Sequence, residues 1–391
     1  MKNKTRILFV IDALRQGGIR TSLLNLLANL DYSKYDVYLF CFHFIKDDEI
    51  NIPKEVYIIY PNLLFDIVAS TGKELKNNSI IKYCLRIILS LFCKLFGSNL
   101  LFDFIFKTEK RDFDFDVAIS YTNNVNDHSL YFGSNKFVIE KVNAKKKIAW
   151  IHADYEKMNL NTKVNNEEYK FFNQIVCVSS RTANSFLKGN EHLKDRVEIV
   201  YNLLNTNIMT KLSNESIKEI TDKGKLNIIS VIRFDENKDP FFMIEIANKL
   251  KKAKVNFCWR ILGIGPLFDN TKSKINEYNL EDQVELLGFI NNPFPYYKMS
   301  DLYISTSYSE GYSMSILEAL FFELDIICGR YDSIDEILDD NNGCIIEKNI
   351  DEYVDAILSF RYKRKEHLIL HSNTEILMKV NKLLAYSGKE N

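Results

Sequence analysis

Glycine and proline are scarce in this chain, at 14 and 6 of 391 residues, so its loops should be short and punctuated largely by asparagine and aspartate. Excess charge is missing too. Fifty-one Lys and Arg stand against 52 Asp and Glu, which argues against a dedicated nucleic-acid binder, whose footprint is basic. The seven cysteines are odd in number and scattered, with no Cys-x-x-Cys pair. A disulfide framework or zinc ribbon does not fit that pattern, whereas a reducing, cytoplasmic compartment does. After the basic start Met1–Arg6 the apolar run is only Ile7–Ile11, too short for a signal-peptide core and better read as a first strand. What the chain does hold is 46% hydrophobic residues and enough length for two cores of ordinary size.

The order of short apolar runs and helical stripes gives the fold class. Ile7–Ile11 has the continuous apolar character of a strand buried on both faces. Gly17-Gly18 make a turn, and Thr21–Leu30 carries apolar residues at helical spacing. Val37–Phe40, Val56–Ile59, Val117–Ser120, Lys147–Ile151 and Ile175–Val178 read as further strands. The same grammar restarts near Leu226: strand Asn227–Val231, helix Pro240–Lys252, strand Asn256–Leu262, turn Gly263–Pro266, helix Lys272–Tyr278 and strand Val284–Leu287. Strand Asp301–Ser305, helix Ser313–Phe322 and strand Ile326–Cys328 complete it. Repeated strand–turn–helix units imply α/β architecture with parallel sheets. The expectation is two doubly wound, Rossmann-like domains facing a central cleft, residues 1–204 and 225–360. A polar linker at 205–224 would join them, and a helical tail at 361–391 would pack back on the first domain.

One stretch departs from that grammar. Residues 80–106 are almost wholly apolar and aromatic, broken by Lys82, Arg86 and Lys94 at multiples of four. Two readings stand side by side: a helix pair in the first core, or an amphipathic segment on a membrane surface.

The chemistry concentrates in a few places. Glu310 and Glu318 lie eight positions apart across a strand–helix junction, with the N–H groups around Met314 and Ser315 free to receive an anion at the helix start. Arg233 and Lys238 follow a strand and precede a helix beginning near Pro240, a placement suited to clamping a diphosphate, or simply to pairing with Asp235 and Glu236. Gly17-Gly18 and Gly263-Ile264-Gly265-Pro266 could let backbone approach a ligand closely. His152 stands at a strand end, as a hydrogen-bonding group, a general base or a structural histidine. The run Asp112–Asp116 alternates with phenylalanine before a strand and reads as a polar lead-in, not a metal site.

Together these residues resemble the retaining glycosyltransferases of family 4, with the GT-B fold, and especially bacterial members that build capsular and other surface polysaccharides. Glu310…Glu318 followed by Ala319-Leu320 matches the family's Glu-x7-Glu signature, Arg233 and Lys238 its basic pair, and Gly263–Pro266 its Gly-x-Gly-Pro loop. Asn202 and His152-Ala153-Asp154 match its asparagine and histidine regions. The chain has Ile232-Arg233 and Lys238-Asp239 where the family has Gly-Arg and Lys-Gly, and Arg20 in a usually acidic position.

The resemblance implies that Arg233, Lys238, Gly18, Gly265 and the N–H groups at Met314 and Ser315 hold the donor diphosphate. It implies that Glu318 binds the ribose hydroxyls, while Glu310 and His152 contact the transferred sugar. The implied partners are a nucleotide-diphosphate sugar and a lipid-linked oligosaccharide, at the inner face of a membrane, with no metal or other cofactor and no nucleic acid. The alternatives are a non-catalytic GT-B-like subunit that binds a partner transferase, and a nucleotide-sugar epimerase of related fold.

Overall fold

The computed structural model describes residues 4–44, 51–125, 127–131, 133–217, 224–359 and 371–385. Met1–Leu203 with Asn373–Asn391 form one compact unit and Leu204–Ser372 the other. Of the expected linker and tail, residues 218–223, 361–370 and 386–391 lie outside the described residues.

In the first unit, β1 (Thr5–Ala13) leads through Gly17 to α1 (Gly18–Asn29) and β2 (Tyr35–His43). Then come β3 (Tyr57–Ile59), α2 (Leu63–Ala69), α3 (Gly72–Asn78), α4 (Ile80–Phe96) and α5 (Ser98–Thr108). The unit continues with β4 (Phe113–Ser120), α6 (Ser134–Glu140), β5 (Val142–Ile151), α7 (Lys163–Tyr169), β6 (Gln174–Cys177), α8 (Ser180–Asn190) and β7 (Val197–Ile199). The sheet is wholly parallel in the order β3-β2-β1-β4-β5-β6-β7. Ile7 to Ile11 are fully buried in its centre, because helices cover both faces of a parallel sheet.

Two strands are longer than their apolar runs. β4 begins at Phe113 and β5 at Val142, so the Asp-Phe alternation lies inside the sheet. Asp116 accepts from the Arg6 N–H at 2.9 Å and pairs with Lys145 at 2.7 Å, while Asp114 accepts from Asn143 at 2.7 Å. The aspartates therefore satisfy neighbouring strands, and Phe113 and Phe115 turn inward to the core.

The second unit opens with α9 (Thr206–Leu212). This helix replaces part of the expected linker: Asn205 caps it by accepting from the Ile208 N–H, and Met209 is buried. There follow β8 (Leu226–Val231), α10 (Pro240–Lys252), β9 (Phe257–Leu262), α11 (Phe268–Glu277), β10 (Val284–Gly288) and α12 (Phe294–Met299). The unit ends with β11 (Leu302–Ser305), α13 (Met314–Phe321), β12 (Asp325–Gly329), β13 (Cys344–Ile346) and α14 (Ile350–Ser359). Its parallel sheet runs β10-β9-β8-β11-β12-β13. Strand order reverses between β8 and β11, so the crevice for a ligand opens where those two strands end.

The position of α10 follows from its first residues. Asp239 accepts from the Phe242 N–H at 3.2 Å, Pro240 occupies the first turn, and Lys249, Lys251 and Lys252 face the negative end of the dipole. Asp239 has φ 44°. Aspartate is one of the few residues other than glycine that tolerate left-handed backbone.

The last helix, α15 (Asn373–Leu384), belongs to the first unit. The Tyr35 hydroxyl donates to Asn381 at 3.0 Å, Lys146 to the Leu383 carbonyl at 2.7 Å, and Lys379 to the Ile199 carbonyl at 3.1 Å.

The two readings of residues 80–106 divide between α4 and α5. Leu101, Phe102, Ile105 and Phe106 of α5 are core residues. On α4 only Cys93 is buried.

Candidate functional site

The second unit gathers its polar side chains at the β8/β11 switch point. The loop after β8 (232–239) and the loop after β11 (306–313) are stitched together. The Tyr308 N–H donates to the Asn237 carbonyl at 2.8 Å, the Asn237 amide to the Ser309 carbonyl at 2.8 Å, and the Thr306 hydroxyl to the Lys238 carbonyl at 2.7 Å. Lys238 and Glu310 thereby meet across 72 positions of sequence as an ion pair, both side chains under one-fifth exposed. Ser307 donates to the same Glu310 oxygen at 2.9 Å, and Ser333 to the Glu310 carbonyl at 2.7 Å.

Arg233 lies on the same loop but points outward. Its side chain is 72% exposed and pairs with Asp235 at 2.5 Å. The pairing of cations with their own loop is thus correct for Arg233. Lys238 instead donates its backbone N–H to Asp235 and sends its ammonium to Glu310.

The loop that carries Glu310 runs directly into α13. Ser313 precedes the helix without a side-chain cap, and no acid stands in the first turn. The N–H groups of Met314 and Ser315 are therefore among those left without an intrahelical acceptor, with the positive end of the helix dipole behind them. Ser315 is fixed from below, its hydroxyl accepting from Tyr303 at 2.8 Å.

One turn on, Glu318 is 8% exposed and accepts from the Tyr297 hydroxyl at 3.0 Å. Burial pushes its pKa up to about 7, against a smaller lowering by the Tyr297 bond. The folded protein therefore holds this proton more tightly than the unfolded chain does. The resulting stabilisation is full below about pH 4.5 and is lost as pH rises through about 7. A Glu318→Gln variant, which keeps the neutral form, should gain in melting temperature relative to the parent as pH goes from 5 to 8. Tyr297→Phe should move the transition to higher pH. A difference that is flat with pH in calorimetry would contradict both.

Gly263 and Gly265 serve the backbone. A Cβ at Gly263 would stand 1.8 Å from the Ile232 carbonyl oxygen, and one at Gly265 2.4 Å from that of Phe234. The Phe234 N–H donates to the Ile264 carbonyl, and the Leu267 N–H to that of Phe234. These glycines let the turn after β9 lie directly on the loop that carries Arg233.

In the first unit, Gly18 and His152 follow β1 and β5 at the carboxyl ends of the sheet. Gly17 has φ 141° and gives α1 no side-chain cap. This leaves the N–H groups from Gly18 onward without a capping side chain.

His152 is 9% exposed and packs beside Tyr121 and parallel to Trp150. Its backbone N–H donates to the Asn123 side-chain oxygen at 2.6 Å. Burial pushes the imidazole pKa down to about 3, which favours the neutral ring. Its Nε2 is buried with no hydrogen-bond partner among the described residues, which suits it to hydrogen bonding with a ligand.

Sequence reasoning missed Ser307, Ser333 and Tyr297. Ser307 lies three residues before Glu310 and could have been found by that proximity. Nothing local connects Tyr297 to Glu318, 21 residues away.

Parts of the chain are similar to known proteins. Residues 213–375 match the family model described as glycosyl transferases group 1. An uncharacterised glycosyltransferase of Methanocaldococcus jannaschii is 27% identical over 227 residues, 56% of each chain. The N-acetylgalactosamine-N,N'-diacetylbacillosaminyl-diphospho-undecaprenol 4-alpha-N-acetylgalactosaminyltransferase of Campylobacter jejuni is 31% identical over 205 residues, 49% of this chain and 53% of that protein. The chain thus spans little more than half the length of these curated relatives.

Among solved structures, Anabaena HepE in complex with UDP and glucose superposes with TM-score 0.67 at 14% identity, covering 97% of this chain and 99% of that one. S. aureus TarM does so with TM-score 0.67 at 14% identity, covering 98% and 100%. Both are likenesses of fold. Residues 213–375 thus resemble the glycosyl transferases group 1 family, in a chain with the GT-B fold of two Rossmann-like units.

Proposed function

We propose that the protein is a retaining glycosyltransferase that moves a sugar from a nucleotide-diphosphate donor to a lipid-linked saccharide in surface-polysaccharide biosynthesis. The observation that carries this reading is the Lys238–Glu310 pair at the β8/β11 switch point, on a loop that leads into the uncapped start of α13 and on to buried Glu318. The Campylobacter relative, whose name specifies a diphospho-undecaprenol-linked acceptor, and the fold neighbour bound to UDP and glucose support the choice of substrates.

In the transfer the sugar's C1–O bond to the diphosphate breaks, its electron pair passing to the departing phosphate oxygen, while an acceptor hydroxyl oxygen bonds to C1 on the same face. The hydroxyl proton passes to the leaving phosphate. Negative charge grows on the diphosphate as this happens. Lys238, Arg233 and the N–H groups of Met314 and Ser315 would offset it, with no metal required. Glu318, as a carboxylate, would accept from both ribose hydroxyls. Glu310, Gly18, Gly265 and the neutral His152 would contact the donor sugar or diphosphate. An acceptor on a lipid carrier would place the protein at the inner face of a membrane.

A panel of nucleotide sugars, followed by release of nucleoside diphosphate, tests the reading. Turnover in the presence of a lipid-linked acceptor, unchanged by EDTA, is expected. Conversion of the sugar without acceptor would instead indicate epimerisation, and no nucleotide binding at all would indicate a non-catalytic subunit. Because ribose hydroxyls need the ionised carboxylate, nucleotide affinity should rise from pH 6 to pH 8 in the parent, and Glu318→Gln should abolish that rise.

A further inference from the structure

The face of α4 directed away from the protein is the most apolar exposed surface among the described residues. Ten of the 21 large apolar side chains exposed there fall between residues 80 and 104. Ile81 is 79% exposed, Leu95 74% and Ile88 62%. At 100° per residue, Ile80, Cys84, Ile88, Leu91 and Leu95 fall on one side of the helix.

The cations explain why that side faces out. Lys82 and Arg86 lie on the opposite side and are directed into the protein. Lys82 pairs with Asp66 at 3.5 Å. Arg86 donates to the Ser70 carbonyl at 2.6 Å and to the Tyr131 hydroxyl at 2.9 Å, its guanidinium also near the Tyr131 ring. The polar stripe of α4 therefore anchors the helix, and the apolar stripe is left to solvent. This reverses the usual arrangement of a surface helix.

We propose that this face of α4 docks in the plane of a lipid bilayer, driven mainly by burial of its apolar side chains. With 17 residues, α4 is about 26 Å long, and no helix among the described residues is long and apolar enough to cross a membrane. A helix lying flat at the headgroup–acyl boundary matches both facts.

Charge favours a bilayer over a second copy of the chain. The exposed charged residues of α4 and of the α3 and α5 helices packed on it, Lys73, Lys76, Lys94 and Lys107, are all cationic. The acids on these helices and just after α5 are engaged: Glu74 accepts from the Thr71 N–H, Asp103 pairs with Lys136, and Glu109 pairs with Arg111. Two copies meeting face to face would bring like charges together, whereas anionic headgroups complement them. The inference deepens the lipid-linked acceptor reading by naming the surface that meets the lipid.

Vesicle co-sedimentation tests it, with phosphatidylcholine alone and with added phosphatidylglycerol. The parent should sediment with both and more strongly with the anionic mixture. High salt should remove the anionic enhancement but leave the binding to phosphatidylcholine. Ile88→Glu/Leu91→Glu, at exposed positions that leave the core intact, should reduce sedimentation at least tenfold without lowering the melting temperature. Lys94→Glu should reduce only the anionic enhancement.

A parent that stays in the supernatant with both vesicle types overturns the proposal. So does a double variant that sediments like the parent, or a parent dimer that the double variant dissolves. Nucleoside diphosphate binding, titrated on the same preparations without lipid, reports separately on the transferase site.

Discussion

Lys238→Ala should lower nucleotide-sugar turnover by about 10²–10³-fold, the cost of removing one preorganised charge partner from a developing oxyanion. The ammonium is under one-fifth exposed and already held at the switch point by Glu310. Its position is thus fixed before a donor arrives, and little ordering remains to be done on binding. The substitution should be tolerated by the fold, because Glu310 keeps its bond from Ser307 and its side chain is still 17% exposed.

Arg233→Ala should cost less, about tenfold, since that side chain is 72% exposed and its guanidinium must leave Asp235 to reach a phosphate. Steady-state turnover and thermal melting on both variants check this ordering. A Lys238→Ala protein that turns over like the parent would contradict the proposed role.

Gly263→Ala should have the largest effect on stability, about 3 kcal/mol or more. Its Cβ would fall 1.8 Å from the Ile232 carbonyl at a φ of 130°, and the atom in the way is backbone, which cannot rotate aside. Gly17→Ala provides the contrast. Its φ is 141°, but nothing lies within 4 Å of the added carbon, so only backbone strain of about 1 kcal/mol remains. Denaturant midpoints of the two variants should therefore differ clearly. Equal losses would mean that the close approach of the 263–265 turn to the 232–234 loop does not matter to the fold.

The strands legible in the sequence were those buried on both faces, such as β1 and β9, whose positions are mostly apolar. The short β7 and β13 were missed because their residues are largely half-buried or exposed and resemble loop composition. The starts of β4 and β5 were missed for a different reason. Asp116 and Lys145 satisfy one another only across neighbouring strands, 29 residues apart in sequence.

The site shows the same division. The residues Glu310, Glu318, Arg233 and Lys238 were readable from motif spacing. Their pairing was not, because the Lys238–Glu310 contact depends on two loops stitched by Asn237 and Thr306. The cations of α4 were readable as a helical row, but their inward direction is set by Asp66, Ser70 and Tyr131, which spacing along α4 could not disclose.

On the proposed reading, the β8/β11 switch point of the second unit binds a nucleoside diphosphate through Lys238, the start of α13 and Glu318. Isothermal titration of the parent and of Glu318→Gln with a panel of nucleoside diphosphates at pH 8 tests it most directly. The account predicts one site in the parent for at least one nucleotide and at least tenfold weaker binding in the variant. No binding heat from any of them, or equal affinity in the two proteins, would contradict it.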